Sequence, residues 1–183
     1  MIEVKDDFLP KEVFKNIQEY CSNNEFKFFD AGDKQFSVLS VPDKIMPFLQ
    51  KKGYNIILTF IRRAWKDFDT DMRAHCDGTI SGRKTSLASV LYINEEEGVT
   101  PNGTCFYSHE KYGESFPDNE SEEEFDRLLL EDSNNSDKWT KTSEVFAKPN
   151  RLLTYNSSLF HGKFPNKIEI GERKVLVTFY SEI

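Results

Sequence analysis

Cysteine is scarce in this chain. Only Cys21, Cys76 and Cys105 are present, with no CxxC spacing, so neither a disulfide framework nor a structural zinc site is expected, and the thiols read as reduced and buried. Long apolar runs are missing too: none approaches the roughly 20 residues of a membrane helix. The opening MIEVKDDFLPKEVF is charged from the start, unlike a signal peptide. A cytoplasmic protein with no membrane partner is the expectation. Without an internal repeat or a Gly/Ser-rich linker, residues 1–183 are read as one domain. A basic excess is also absent. The formal charge is −7, and its distribution is uneven. Residues 114–137 hold ten acids and one base, a balance of −9, which leaves +2 for the remainder. No basic footprint for nucleic acid is present.

What the chain does have is core material. Hydrophobic residues make up 38% and aromatics 14%, with sixteen phenylalanines. PKEVFKNIQEYC (10–21) places Val13, Ile17 and Tyr20 at helical spacing behind Pro10, and PDKIMPFLQKK (42–52) predicts a second short helix ended by Gly53. From Tyr54 the pattern changes. NIILTFIRRAW, SLASVLYI, GTCFY, NRLLTYN and RKVLVTFY are short runs of β-branched and aromatic residues between Gly, Asn and Pro. Helices followed by many strands predict an antiparallel sandwich or barrel with helices packed outside. An acidic helical insertion is expected at about 108–146. Its SEEEFDRLLLED run opens on a capping box, Ser121 and Glu124, and carries Phe125, Leu128 and Leu129 on one face.

Only three histidines are available for chemistry. His75 and Asp77 lie two apart in RAHCDG, so an extended strand points both to one face and Cys76 to the other. A neutral imidazole beside a carboxylate supplies two of the three groups of the facial triad of non-haem Fe(II) oxygenases. A surface His–Asp hydrogen bond has the same spelling, so a third ligand decides. His161 follows RLLTYNSSLF, and twelve residues later Arg173 opens the apolar strand KVLVTFY. A guanidinium at the mouth of a buried strand needs a partner. A bidentate carboxylate suits it, although Glu172 or solvent would also serve. His109, in CFYSHEKYG, is the competing third ligand, with a surface or substrate-facing position as its other reading.

His75-x-Asp77, His161 and Arg173, in that order, resemble the 2-oxoglutarate/Fe(II) dioxygenase superfamily, and in particular its prolyl-4-hydroxylase-like branch. SLASVLYINEE is similar to that family's strand ending in Tyr-Leu-Asn, NGTCFY to its Gly-Gly-x-x-x-Phe strand, and KPNRLLTYNSSLFHG to its run into the distal histidine. VKDDFLPKEVFKNI resembles the branch's N-terminal strand and helix. The resemblance spans nearly the whole chain outside residues 108–146. It implies a mostly β fold with flanking α-helices, a double-stranded β-helix or jelly roll of cupin-like form. It also implies Fe(II) held by His75, Asp77 and His161, with O2 and 2-oxoglutarate as cosubstrates and Arg173 on the distal carboxylate. Because Asp77 fills the place that related halogenases leave free for halide, halogenation is disfavoured.

The sequence departs from the branch in places. If Leu91 points inward, it stands where prolyl hydroxylases often carry a cosubstrate-binding Tyr, and Ser89 on the same face becomes the substitute ligand. Val175 replaces the serine of an Arg-x-Ser pair. Trp65 is read either as lining the cosubstrate pocket or as core. A hydroxylase acting on a peptidyl or amino-acid-like small molecule is the expected function, with the acidic insertion over the open end. A non-catalytic jelly-roll binding module and a cupin-type metal enzyme without 2-oxoglutarate are the alternatives. Metal affinity is expected to weaken as pH falls through ~6.5, where histidine titrates.

Overall fold

The computed structural model describes residues 1–31, 34–80, 82–94 and 98–183. Glu95 and Glu96, at the end of the SLASVLYINEE run, lie outside the described residues. β1 (Ile2–Lys5) leads into α1 (Lys11–Asn23), whose start follows from Pro10 at φ −52°. β2 (Lys27–Ala31) and β3 (Lys34–Leu39) pair antiparallel, and neither is anticipated from the sequence. The expected 42–52 helix is a 3-10 turn at Asp43–Ile45 continued by the single turn α2 (Met46–Leu49). Strands then dominate: β4 (Tyr54–Trp65), β5 (Thr79–Ile80), β6 (Arg83–Lys84), β7 (Leu87–Tyr92) and β8 (Gly103–His109). After the short helix α3 (Glu122–Arg127) come β9 (Trp139–Phe146), β10 (Leu152–Asn156), β11 (His161–Phe164) and β12 (Glu172–Glu182).

Seven strands form one sheet in the order β1-β10-β7-β12-β4-β3-β2, and β11-β8-β9 form a second. Ala88, Val90, Tyr92, Leu153, Tyr155 and Val175 from the large sheet meet Phe106 of the small one in a shared interior. The other face of the large sheet buries Ile61, Leu91 and Leu176 beneath Ile17 and Cys21 of α1 and Leu49 of α2. β7 is therefore buried on both faces at every position, which is why SLASVLYI reads as a continuous apolar run rather than an alternating one. Two antiparallel sheets with helices on one outer side make the expected jelly roll, mostly β with flanking helices. Among the described residues no helix is long and apolar enough to cross a membrane.

The segment expected as an insertion at about 108–146 needs redrawing. Its first residues complete β8, and its last eight are β9, paired with β8 from Gly103–Phe146 to His109–Trp139. β9 is an edge strand exposed at nearly every position except Trp139, so its side chains carry no apolar alternation to betray it. Only the part between β8 and β9 is helical or irregular. There Ser121 caps α3 by accepting from the Glu124 amide at 3.2 Å, and Leu128 is fully buried whereas Leu130 is 89% exposed.

Candidate metal centre

The extended segment holding His75 and Asp77 lies beside β11. His75 donates its amide to the His161 carbonyl at 2.9 Å and accepts from the His161 amide at 2.7 Å, an isolated antiparallel bridge that sets His75 against the edge of the small sheet. Directly opposed residues of paired strands share a face, so both imidazoles point into the interior, and Asp77 joins them two residues on. The ligand atoms of His75, Asp77 and His161 all lie within 4.8 Å of one another. Each histidine Nε2 stands 3.7 Å from a different Asp77 oxygen. Gly162 keeps this packing close, since a Cβ there would meet the Met72 carbonyl at 3.0 Å.

These residues fit a divalent metal ion on three counts. His75 Nδ1 lies 2.7 Å from the Arg73 carbonyl and His161 Nδ1 lies 2.9 Å from that of Leu159. Those carbonyls accept the Nδ1 protons and leave both Nε2 lone pairs free. Asp77 Oδ2 is buried without a hydrogen-bond partner, a costly state for a carboxylate unless a cation completes it. Finally, two imidazoles and one carboxylate are the donor set of mononuclear non-haem iron. Atoms each about 2.1 Å from one ion stand about 3 to 4 Å apart, so only a small contraction is needed.

Burial sets the protonation of the group. It pushes His75 down to about 4, helped by the neighbouring His161 and opposed by Asp77. It brings His161 to about 4 as well, and lifts Asp77 to about 6 against the pull of His75. At neutral pH all three stand in the form a metal takes. Below about pH 6 a proton competes for Asp77, and below about 4 protons compete for the histidines. Mn(II) affinity is thus expected to be flat from pH 8 to about 6 and then to fall about tenfold per pH unit. A fall of about a hundredfold per pH unit from its onset, the mark of two protons, would contradict this. On these shifts Asp77 takes up its proton before either histidine does.

Arg173 lies at the start of β12, directly opposite Ala64 of β4, and points into the interior. It is 5% exposed, its Nε is buried without a partner, and its Nη2 reaches only the Gly103 carbonyl at 3.4 Å. The guanidinium lies 6.0 Å from the centre of the Tyr92 ring. Glu172, the partner open to it in sequence, is taken by Arg63 at 3.5 Å and Lys174 at 3.1 Å. Tyr155 stands between the two ends of the site: its ring centre is 4.6 Å from that of His161, and its phenol, pushed well up by burial, feels Asp77 and Arg173. Tyr92 completes this wall, its hydroxyl 2.8 Å from Thr104 Oγ1.

Several residues singled out in the sequence fall elsewhere. Leu91 packs beneath the helices, so Ser89, on the same face of β7, turns away from Arg173; its hydroxyl lies 3.4 Å from that of Tyr180. The interior face of β7 is Ala88, Val90 and Tyr92. A tyrosine therefore does face the site, and the sequence pattern misses it by one residue of register. Trp65 stacks on Phe68 at 4.1 Å and, one residue from Ala64, points away from Arg173. His109 is neither ligand nor surface. It is 3% exposed, with Nε2 3.2 Å from Asp132 Oδ2 and its ring between Tyr112 and Trp139. Burial lowers its pKa despite Asp132. His109→Ala would strand a buried carboxylate and open a void. It should cost about 3–5 kcal/mol of unfolding free energy in urea titrations yet leave metal affinity unchanged; a loss of affinity at retained stability would restore it as a ligand.

Among features that the sequence pattern does not single out, Arg62 and Arg73 both pair with Asp69, whose side chain is 1% exposed. They tie the loop before the ligand strand against Phe36 of β3, at 4.4 and 4.6 Å from its ring. The signal was present as closely spaced opposite charges in RRAWKDFDTDMR, but local spacing does not say which of them bury.

A family model described as "Family of unknown function (DUF6445)" matches residues 69–169, more than half of the chain and all three residues of the metal group. The chain belongs to this family. No curated protein sequence matches it. Among solved structures, the non-haem α-ketoglutarate-dependent carbocyclase SnoK from nogalamycin biosynthesis superposes with a TM-score of 0.67 at 10% identity, over 99% of this chain and 80% of that one. HygX from Streptomyces hygroscopicus, solved with nickel, 2-oxoglutarate and hygromycin B, gives 0.58 at 14% identity, over 99% and 82%. A prolyl-4-hydroxylase from Pseudomonas putida gives 0.54 at 12% identity, over 100% and 92%. At such identities the likeness is one of fold. This DUF6445 chain has the double-stranded β-helix of the 2-oxoglutarate/Fe(II) oxygenases, and the likeness is not confined to prolyl hydroxylases.

Proposed function

We propose that this chain is an Fe(II)- and 2-oxoglutarate-dependent oxygenase, folded as one domain, that hydroxylates an amino-acid-like or peptidyl substrate. The observation that carries the reading is Arg173. A fully buried guanidinium with an unpartnered Nε, in the interior that also holds the His75–Asp77–His161 group, is poorly explained by a binding module or by a cupin-type enzyme that holds no carboxylate. A dicarboxylate accounts for both features, with one end at the metal and the other on Arg173. When bound, Fe(II) and 2-oxoglutarate supply the oxidation: O2 is consumed, 2-oxoglutarate becomes succinate and CO2, and a substrate C–H bond becomes C–OH. The chain's own residues do the holding. His75 and His161 present neutral Nε2 atoms, Asp77 supplies the charge, and Tyr92 and Tyr155 wall the path between metal and Arg173.

Fold likeness leaves the substrate open, since the neighbours include a carbocyclase, a prolyl hydroxylase and a protein solved with hygromycin B. The reading is tested by incubating the protein with Fe(II), ascorbate, 2-oxoglutarate and O2 and measuring succinate. Slow release without substrate is expected, and it should vanish in Asp77→Ala. Equal release by both proteins would overturn the proposal.

A further inference from the structure

A cleft of about 410 Å3 opens beside the metal group, between the β5–β6 hairpin, the 157–158 turn and the first part of the acidic segment. Asp77 lines it, with a side chain more than nine-tenths buried and an Oδ2 that has no partner. The cleft therefore meets the metal group at Asp77, while His75 and His161 do not line it. Phe116 and Phe125 form an aromatic wall, edge to face at 5.3 Å, and Phe125 presses on Gly78, the residue after Asp77, where a Cβ would meet its ring at 3.0 Å. Beyond the aromatics stand four carboxylates, Asp118, Glu120, Glu122 and Asp126. Lys84 is the one cation among the lining residues, and Asp118 already accepts from it at 2.7 Å.

We propose that this cleft recognises the amine-bearing part of the substrate, a cationic group on an apolar stem. The inference rests on the oxygenase reading above and adds the substrate class to it. A cleft walled by one sign of charge over low-dielectric aromatics concentrates its field on the opposite charge. Ring faces also favour an alkylammonium over an uncharged group. The stem lies against Phe116 and Phe125, and the ammonium meets the carboxylates. An anionic substrate would meet four like charges with one committed lysine to offset them. The acidity of residues 114–137 thereby gains a place beside the chemistry.

Binding to the metal-free protein tests this without any turnover. Calorimetry would compare spermidine, N-acetyl-lysine amide and the trianion tricarballylate. The amines should bind and tricarballylate should not, and the tighter amine shows whether a free polyamine or a lysine side chain is the better source. Two variants of equal charge change then locate the site. Asp118→Asn, Glu120→Gln, Glu122→Gln and Asp126→Asn together remove the cleft acids. Glu114→Gln, Glu123→Gln, Glu131→Gln and Asp137→Asn remove four acids of the same segment that do not line it. The first set should weaken amine binding at least about tenfold and the second less than twofold, given the small worth of diffuse surface charge. Equal weakening by both sets, no weakening by either, or binding of tricarballylate would overturn the proposal. If the first set does not fold, Glu120→Gln and Asp126→Asn are made singly. Each should then weaken binding about twofold or more, and no weakening by either would overturn the proposal. Failure of the oxygenase reading is separate: it shows as absent Fe(II) or 2-oxoglutarate binding whatever spermidine does.

Discussion

Asp77→Asn is expected to weaken metal binding at least about 100-fold while making the metal-free protein more stable. The two effects have one cause. Asp77 is a buried carboxylate with an unpartnered oxygen, and burial lifts its pKa from 3.8 to about 6. A raised carboxylate pKa means that folding favours the protonated form. The stability Asp77 contributes is complete below pH 3.8 and is lost as pH rises through about 6, so at pH 7 the charge opposes folding. At about 1.4 kcal/mol per pKa unit the penalty is at most about 3 kcal/mol. Asparagine, of nearly the same shape, removes it. Urea titration at pH 7 should show a gain of roughly 1–3 kcal/mol, fading as pH falls to 4. Metal affinity should drop at least about 100-fold, because losing even an outer-shell partner of a metal ligand costs 10–100-fold. Destabilisation at pH 7 together with retained affinity would mean that Asp77 is a structural hydrogen-bonding residue. A carboxylate kept at a cost to the fold is what a binding site looks like.

Arg173→Met should weaken 2-oxoglutarate binding on the order of 100-fold or more, because truncating one member of a buried, hydrogen-bonded charge pair costs about 2–5 kcal/mol. Fe(II) affinity should stay within about twofold of the wild type, since Arg173 stands apart from the metal group, across Tyr155. The ligand-free protein should lose little stability or gain some, because Arg173 is buried with an unpartnered Nε and an apolar replacement of similar length relieves that burden. Arg173→Lys should fall between, keeping the charge and losing the fork. Unchanged 2-oxoglutarate affinity in Arg173→Met would leave the metal site standing and remove the cosubstrate from it.

The site was more legible in the sequence than the sheets that build it. His75, Asp77 and His161 are rare residue types at fixed offsets, and the structure brings their ligand atoms together. Arg173 could be singled out because a charge that opens KVLVTFY conflicts with its surroundings. β4, β7, β8, β10 and β12 announced themselves through apolar content. β2, β3 and β9 did not, since β9 is solvated along most of its length and β2 exposes both Phe28 and Phe29. Face assignment failed where burial is two-sided. Every residue of Leu87–Tyr92 is buried, so alternation could not say that Tyr92 faces the interior between the sheets and Ser89 the helices. His109 misled for the opposite reason: its partner Asp132 is 23 positions away, and only the fold closes that aromatic box.

The central claim is that His75, Asp77 and His161 hold one ferrous ion and that the same 2-oxoglutarate spans from it to Arg173. The most direct test is anaerobic calorimetric titration of 2-oxoglutarate into the protein with and without Fe(II). One molecule per chain, bound far more tightly when Fe(II) is present, is the predicted result. Binding that is absent, or indifferent to the metal, would contradict it.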